Sequence, residues 1–221
     1  YALPVLRRHA ASGKPFFATL LTISNHPPFV VPAEFQTPGL APEQQIVRYA
    51  DHCIGQFMQA VSKEPWARNT LFVFLGDHGK LLGQTDAELP ESFNHIPLIF
   101  HASWLKPAER TQFAGQVDVA PTILGLLRLP YVQNNFGLDL LHDAPRPAAF
   151  YTADKMIAAR NDRQLFLYNA ELKQTYCYNI APDGRPVPTS FSPAFAPLRQ
   201  YVFALLQTTE YMVQHGMTRT R

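Results

Sequence analysis

The fold is decided by residues 69–79, which read NTLFVFLGDHG. The run Asn69–Leu75 is largely apolar but too short for a helix, so it predicts a strand buried on both faces. The block Gly76-Asp77-His78-Gly79 follows at the carboxyl end of that strand, where ligands gather in open α/β sheets. This segment therefore predicts a sheet and also the edge of the sheet at which chemistry takes place.

The flanking segments extend this strand into an alternation of strands and helices. Upstream, Phe16–Ser24 predicts a central buried strand, and Glu43–Lys63 predicts an amphipathic helix from its apolar spacing. Downstream, Ile96–His101 predicts another strand, and the sequence VAPTILGLL after Asp118 predicts a helix that ends before Pro130. Because parallel strands need long crossovers, this order predicts an α/β fold with a mostly parallel sheet flanked by helices.

Beyond Gly137 the pattern changes to short runs separated by polar turns. These runs predict a small C-terminal antiparallel meander with strands at Ala149–Thr152, Met156–Arg160, Gln164–Tyr168 and Thr175–Tyr178. Leu198–His215 predicts a terminal helix. The sequence therefore predicts two domains: residues 1–140 as part of the α/β core, and residues 141–221 as an antiparallel subdomain with its closing helix.

Composition excludes several classes of protein. The 221 residues, 47% hydrophobic and 16% charged, are typical of a folded domain and not of a disordered chain. A net charge of +2 gives no broad basic field, so no nucleic-acid partner is expected. No apolar stretch approaches the roughly 20 residues that span a bilayer. Cys53 and Cys177 form no metal-binding motif, and they leave either a disulfide or two free thiols open.

Asp77 and His78 are the candidate metal ligands. A carboxylate and an imidazole side by side at the end of a strand suit a borderline divalent metal. The alternative is a strand-to-loop turn in which Asp77 caps the turn and His78 is merely exposed. Other polar groups at ends of predicted strands are His26, after the first strand, and His95, ahead of the Ile96 run.

Five sequence blocks in a fixed order resemble a known family. They are SNHPPF (24–29), YAD (49–51), LGDHG (75–79), HIPLI (95–99) and GQVDVAPTIL (115–124). Together they resemble the sulfatase branch of the alkaline-phosphatase superfamily across roughly residues 16–140. Within that branch, the sequence is most similar to lipoteichoic-acid synthases and related phosphoglycerol transferases.

This resemblance implies roles for individual residues. Asp77 and His78 match the pair that ligates one catalytic divalent metal ion, expected to be Mn, Mg or Zn. His26 matches the histidine that contacts the substrate phosphoryl group. His95 is a candidate for the same substrate site; the alternatives are a ligand of a second metal, as in one branch, or a polar residue that starts a buried strand. Asp118 is assigned to helix capping.

The sequence also departs from the family pattern. Family members begin the fold with a strand that supplies an acidic metal ligand, and they then place a Thr, Ser or modified Cys nucleophile. Neither block precedes Tyr1, and no Cys/Ser-x-Pro-x-Arg signature occurs in the sequence. The chain is therefore expected to be the C-terminal half of an alkaline-phosphatase-like core and to be inactive by itself.

For the complete protein, the resemblance predicts metal-dependent phosphoryl transfer on envelope glycolipid or glycan substrates that carry phosphoglycerol or another phosphodiester. The expected setting is the bacterial cell envelope, in the periplasm or at the outer face of the cytoplasmic membrane. Contact with the membrane is expected only through upstream helices that this sequence lacks. Two alternatives stay open: a sulfatase that hydrolyses sulfuric esters, and a non-catalytic envelope-binding domain that retains the fold.

Overall fold

A computed structural model describes residues 1–80, 87–153 and 155–218. The described helices are α1 (Ala2–Ala11), α2 (Pro42–Val61), α3 (Glu91–Asn94), α4 (Val119–Leu126) and α5 (Ala196–Gln214). The described strands are β1 (Phe72–Leu75), β2 (Leu98–His101), β3 (Ala149–Ala153), β4 (Met156–Arg160), β5 (Gln164–Asn169), β6 (Gln174–Ile180) and β7 (Pro186–Thr189). Among these helices, none is long and apolar enough to cross a membrane.

The chain divides into two compact units. The first unit comprises Tyr1–Phe74 and Ile99–Lys106, and the second comprises Leu75–Leu98 and Pro107–Arg221. The predicted domains, residues 1–140 and 141–221, remain a prediction. Cys53 and Cys177 are both free thiols, which decides between the two states that the sequence left open.

In the first unit, helix α2 confirms the amphipathic helix predicted at Glu43–Lys63. Pro42 occupies the first helical position, where its missing N–H costs nothing, and Ile46 and Val61 on the apolar face are each 1% exposed. Helix α1 was not predicted from the sequence. Its Arg7 forms an ion pair with Glu64, with Nη2 and Oε1 2.6 Å apart, and this pair ties α1 to the end of α2.

The predicted strand at Phe16–Ser24 is wrong in this structure. The segment belongs to neither sheet of the described chain, and Phe17, Leu21 and Ile23 are exposed by 84%, 83% and 79%. A strand that is buried on both faces requires neighbouring strands and covering helices, and no described strand pairs with this segment. An apolar run alone does not supply those neighbours.

The two strands that flank the Asp-His block are confirmed, and they pair as a two-stranded sheet. Strand β1 begins at Phe72, later than the predicted Asn69, because Pro65–Asn69 forms a 3-10 helix that ends there. Strand β2 likewise begins at Leu98, two residues after the predicted start.

Strands β3 to β7 form an antiparallel sheet in sequence order, which confirms the predicted C-terminal meander. Alternate residues of the central strands pack on opposite faces. Phe166 packs on one face with Leu198 and Val202 of α5, while Leu165 and Leu167 pack on the other with Leu89. The terminal helix, predicted at Leu198–His215, thereby covers one face of the sheet.

Strand β7 was missed because its sequence, PVPT, lies in a stretch with many prolines. It pairs only with β6, at the edge of the sheet, where proline's missing N–H removes no bond to a second neighbour. Five of the described strands therefore lie in an antiparallel sheet. The mostly parallel sheet expected from the sequence is not confirmed.

Candidate metal centre

The loop Gly76–Gly79 follows strand β1 directly, as the sequence predicted. The side chains of Asp77 and His78 are 78% and 58% exposed, so both polar groups reach solvent. Asp77 Oδ2 lies 3.9 Å from His78 Nε2, and Asp77 Oδ1 accepts a hydrogen bond from the His78 amide at 3.0 Å. Two potential ligands therefore lie side by side at the end of a strand.

A backbone hydrogen bond determines which nitrogen of His78 is available. His78 Nδ1 lies 2.7 Å from the carbonyl oxygen of Gly79, and since a carbonyl only accepts, Nδ1 carries the proton. In the neutral ring, Nε2 then carries the free lone pair, 3.9 Å from Asp77 Oδ2. This is the arrangement that metal-binding histidines use, with one ring N–H on a carbonyl and the other nitrogen free for the ion.

The donor set fits a divalent metal. Asp77 Oδ2 and His78 Nε2 lie 3.9 Å apart, so these two side chains would hold one divalent ion together, which would supply positive charge at the end of the strand. Carboxylate oxygen suits Mg and Mn, and imidazole nitrogen suits Zn. Within residues 1–80, 87–153 and 155–218, no group of three or more His, Cys, Asp or Glu side chains gathers to bind an ion. The described residues thus contribute two ligands and not a complete coordination sphere.

Gln116 supports this loop from one side. Its side-chain amide donates to the carbonyl oxygens of Asp77, at 2.7 Å, and of Gly76, at 3.2 Å. Gln116 begins a short 3-10 helix that ends at Asp118. The sequence block 115–124 contained Gln116, but no local pattern indicated that its amide would reach a loop about 40 residues away.

Asp118 occupies the N-cap position of α4, as predicted, but its side chain makes no capping bond to that helix and instead fixes the turn that carries Gln116. The carboxylate is fully buried, and it accepts hydrogen bonds from the amides of Gly115 and Leu138, each at 2.7 Å. It also forms an ion pair with the buried Arg146 and makes no capping bond to α4. Asp118 therefore joins the loop ahead of α4 to the segment that follows it.

Helix α3 contacts the Asp-His loop from another side. The ring of His78 stacks on Phe93, with centroids 5.0 Å apart and planes at 24°, and the Gly79 amide donates to the Phe93 carbonyl at 2.7 Å. A Cβ at Gly79 would collide with the backbone carbonyl of Ser92. Position 79 therefore requires glycine because the helix backbone passes too close for any side chain.

His95 and His26 lie elsewhere in the chain. His95 is exposed and ends helix α3, where its amide donates to Glu91 O at 2.7 Å. It belongs to the same unit as Asp77 and His78, but among the described residues it does not join them in a three-residue metal cluster. His26 belongs to the other unit; it is exposed, and its Nδ1 lies 2.8 Å from Pro27 O.

The fold of the chain is also found in a solved protein. The chain is similar over its whole length to a solved protein of the alkaline phosphatase superfamily from Vibrio parahaemolyticus, with a TM-score of 0.85 and 20% identity. It covers 54% of that protein. The chain therefore has the fold of part of an alkaline-phosphatase superfamily protein.

The family follows from the sequence. The family model named Sulfatase matches residues 1–129, and the chain belongs to the sulfatase family. It is 32% identical to lipoteichoic acid synthase 2 of Bacillus subtilis over 136 residues, which cover 52% of the chain and 21% of that relative. It is also 27% identical to arylsulfatase K of Gallus gallus, covering 41% of the chain and 18% of that relative. The chain spans about a fifth of the length of these relatives.

Proposed function

We propose that the chain contributes a metal-binding loop and a phosphoryl-binding histidine to a phosphoryl-transfer enzyme. The observation that carries this proposal is the exposed pair Asp77 and His78, in which a backbone carbonyl binds Nδ1 of the ring and leaves Nε2 3.9 Å from the carboxylate. A turn that merely capped itself would need the bond from the His78 amide to Asp77 but not the oriented imidazole.

Each candidate residue has a distinct task in this proposal. Asp77 and His78 bind one divalent ion, Mn, Mg or Zn, which neutralises negative charge on the phosphoryl group and lowers the pKa of the attacking hydroxyl. His26 donates a hydrogen bond to a phosphoryl oxygen, and His95 lines the same substrate site. We also place the nucleophile outside these 221 residues, because they contain no Cys/Ser-x-Pro-x-Arg signature.

The similarity to lipoteichoic acid synthases supports an envelope substrate that carries phosphoglycerol or another phosphodiester. It also supports a setting outside the bacterial cytoplasmic membrane, in the periplasm or at its outer face. In the full-length protein we propose that β1 and β2 lie in the mostly parallel sheet expected from the sequence. Contact with the membrane belongs to residues outside these 221.

A sulfatase is the second candidate function, favoured by the similarity to arylsulfatase K. In both reactions the metal would stabilise negative charge, because sulfuryl and phosphoryl oxygens are both negatively charged. They differ in substrate. Assays of the full-length protein with a chromogenic phosphodiester and with an aryl sulfate therefore separate them, and we expect turnover of the phosphodiester.

Metal analysis tests the proposed site. We expect the full-length protein, purified without chelator, to bind one divalent ion, and we expect Asp77→Ala or His78→Ala to weaken Mn²⁺ binding by at least tenfold. Removing even an outer-shell partner commonly costs about 10–100-fold in affinity, so removal of a ligand should cost no less. Isothermal titration calorimetry with MnCl₂ gives the dissociation constants.

Two control variants remove the same kinds of side chain, a carboxylate and an imidazole, at positions outside the loop. Asp162→Ala removes an exposed carboxylate from the turn between β4 and β5, and His215→Ala removes an exposed imidazole at the end of α5. Both should bind Mn²⁺ as the unmodified protein does. Equal metal affinity in the Asp77, His78 and control variants would refute the assignment and favour a non-catalytic domain.

A further inference from the structure

We propose that Arg160 and Tyr178 of the C-terminal antiparallel sheet are positioning residues that set the orientation of His78 through helix α3. Neither residue belongs to the five sequence blocks, and both lie beyond residues 1–129, which the family model matches. This inference rests on the proposed metal site, because it assigns these residues the task of orienting one of its ligands.

The first step of the connection runs from His78 to α3. The His78 ring stacks on Phe93, and the Gly79 amide donates to the Phe93 carbonyl at 2.7 Å. The carbonyl of Gly79 in turn accepts the bond that orients His78 Nδ1. Because the ring and the peptide group that orients it both contact α3, a displacement of this one-turn helix changes the direction of Nε2.

The second step runs from α3 to strand β4. Arg160 Nε lies 2.5 Å from Oε1 of Glu91, the first residue of α3, and the two side chains are only 17% and 26% exposed. The Arg160 guanidinium also lies 5.9 Å from the centroid of the Phe113 ring. Partial burial protects this ion pair from solvent screening, so it constrains α3 more strongly than an exposed pair would.

The third step involves the segment just before α3. The Tyr178 hydroxyl donates a hydrogen bond to Glu88, and Leu89, 5% exposed, packs on the sheet face formed by Leu165, Leu167 and Tyr178. Burial, with a further contribution from Glu88, raises the pKa of the Tyr178 hydroxyl, which therefore stays protonated as a donor at neutral pH. A four-residue helix is too short to be stable alone, so these contacts determine where α3 lies.

The backbone of Asp77 is held by a different residue, so a displacement of α3 should affect His78 and not Asp77. Gln116 binds the carbonyl oxygens of Gly76 and Asp77 and makes its contacts independently of α3. Loss of the Arg160 pair should therefore disturb His78 and Gly79 while leaving the backbone of Asp77 in place.

The experiment measures two independent quantities in the full-length protein. One is the Mn²⁺ dissociation constant, and the other is the exchange rate of the Gly79 amide, followed by NMR without metal. We expect Arg160→Gln and Glu91→Gln each to weaken Mn²⁺ binding about tenfold, the lower end of the range for outer-shell partners, and to speed Gly79 exchange by a similar factor. The double variant should be no worse than either single one, since both substitutions break the same pair.

Further variants separate positioning from general destabilisation. Arg160→Lys keeps the charge and should recover part of the Mn²⁺ affinity, and Tyr178→Phe should weaken binding less than Arg160→Gln because Leu89 still packs on the sheet. Arg163→Gln removes an exposed guanidinium three residues from Arg160 and should change neither quantity. The exchange of core amides in β5 should stay constant in every variant.

The outcomes distinguish this inference from the proposed function. Unchanged Gly79 exchange in Arg160→Gln overturns the positioning role, whether or not the protein binds metal. If the unmodified protein binds no Mn²⁺, the metal site fails, and the Gly79 amide alone then decides whether the sheet positions the loop. Equal effects of Arg160→Gln and Arg163→Gln would overturn the inference as well.

Discussion

His26 and His78 share one hydrogen-bonding pattern with two different consequences. In each residue Nδ1 lies close to a backbone carbonyl oxygen, 2.8 Å from Pro27 O for His26 and 2.7 Å from Gly79 O for His78. A carbonyl only accepts, so Nδ1 carries a proton in both rings and Nε2 is the free position. For His78 the neutral ring suits a metal. For His26 the proposed partner is a phosphoryl oxygen.

We expect His26→Ala in the full-length protein to lower kcat/KM by the equivalent of about 2–4 kcal/mol, the cost of losing one transition-state hydrogen-bond donor. Its Mn²⁺ affinity should stay within twofold of the unmodified protein, because Asp77 and His78 remain. Steady-state hydrolysis of a chromogenic phosphodiester and calorimetry with MnCl₂ measure the two quantities. His215→Ala, at the exposed end of α5, is the matched control.

Activity of His26→Ala within threefold of the unmodified protein would exclude the substrate role. Loss of Mn²⁺ binding together with activity would instead make His26 a metal ligand. It would bind through Nε2, because Nδ1 is hydrogen-bonded to the Pro27 carbonyl.

Asp118 shows where reasoning from local sequence fails at the scale of one residue. Its place before an apolar helical pattern predicted a cap, and it does precede α4. Its carboxylate instead contacts the Leu138 amide and Arg146, which lie 20 and 28 residues further along the chain. No spacing rule connects such positions. The position of Asp77 and His78 at the end of a strand, in contrast, was predictable because the block follows that strand directly in sequence.

The same contrast holds for whole elements. Strands β3 to β6 were predicted because each pairs with its sequence neighbour across a short turn, so local pattern and final pairing agree. The run Phe16–Ser24 carries an equally apolar pattern, yet it is no strand, because burial on both faces depends on other parts of a sheet. The one-turn helix α3 is too short to show a helical spacing of apolar residues, although it contacts both the Asp-His loop and the C-terminal sheet.

The packing of α5 on the sheet predicts a large effect at Phe166. This side chain is fully buried among Ile157, Phe195 and Leu198. We expect Phe166→Ala to lower the free energy of unfolding of this unit by about 3–5 kcal/mol, through lost burial and the cavity left behind. Urea unfolding followed by circular dichroism measures the change. Leu172→Ala, at a side chain 59% exposed, should cost under about 0.5 kcal/mol, and equal costs would contradict the packing.

At the scale of the whole molecule, the candidate residues are divided between the two units. His26 belongs to the first unit, and Asp77, His78 and His95 belong to the second. Their common purpose was predicted from the order of five sequence blocks and not from local chemistry, since each block alone fits an ordinary loop. The contacts of Gln116 with Asp77, of Arg160 with Glu91 and of Tyr178 with Glu88 could not be predicted, because each joins residues far apart in sequence.

The isolated chain should differ from the full-length protein in metal binding and in turnover. The chain covers about a fifth of lipoteichoic acid synthase 2, and its described residues bring together only two metal ligands. Two protein ligands leave an ion bound mainly by water, and the 221 residues contain no sulfatase nucleophile signature. We therefore expect the isolated chain to bind Mn²⁺ at least tenfold more weakly than the full-length protein and to show no turnover of a chromogenic phosphodiester in excess MnCl₂. Asp77→Ala in both forms is the control. Steady hydrolysis by the isolated chain, abolished by Asp77→Ala, would place the nucleophile within these 221 residues.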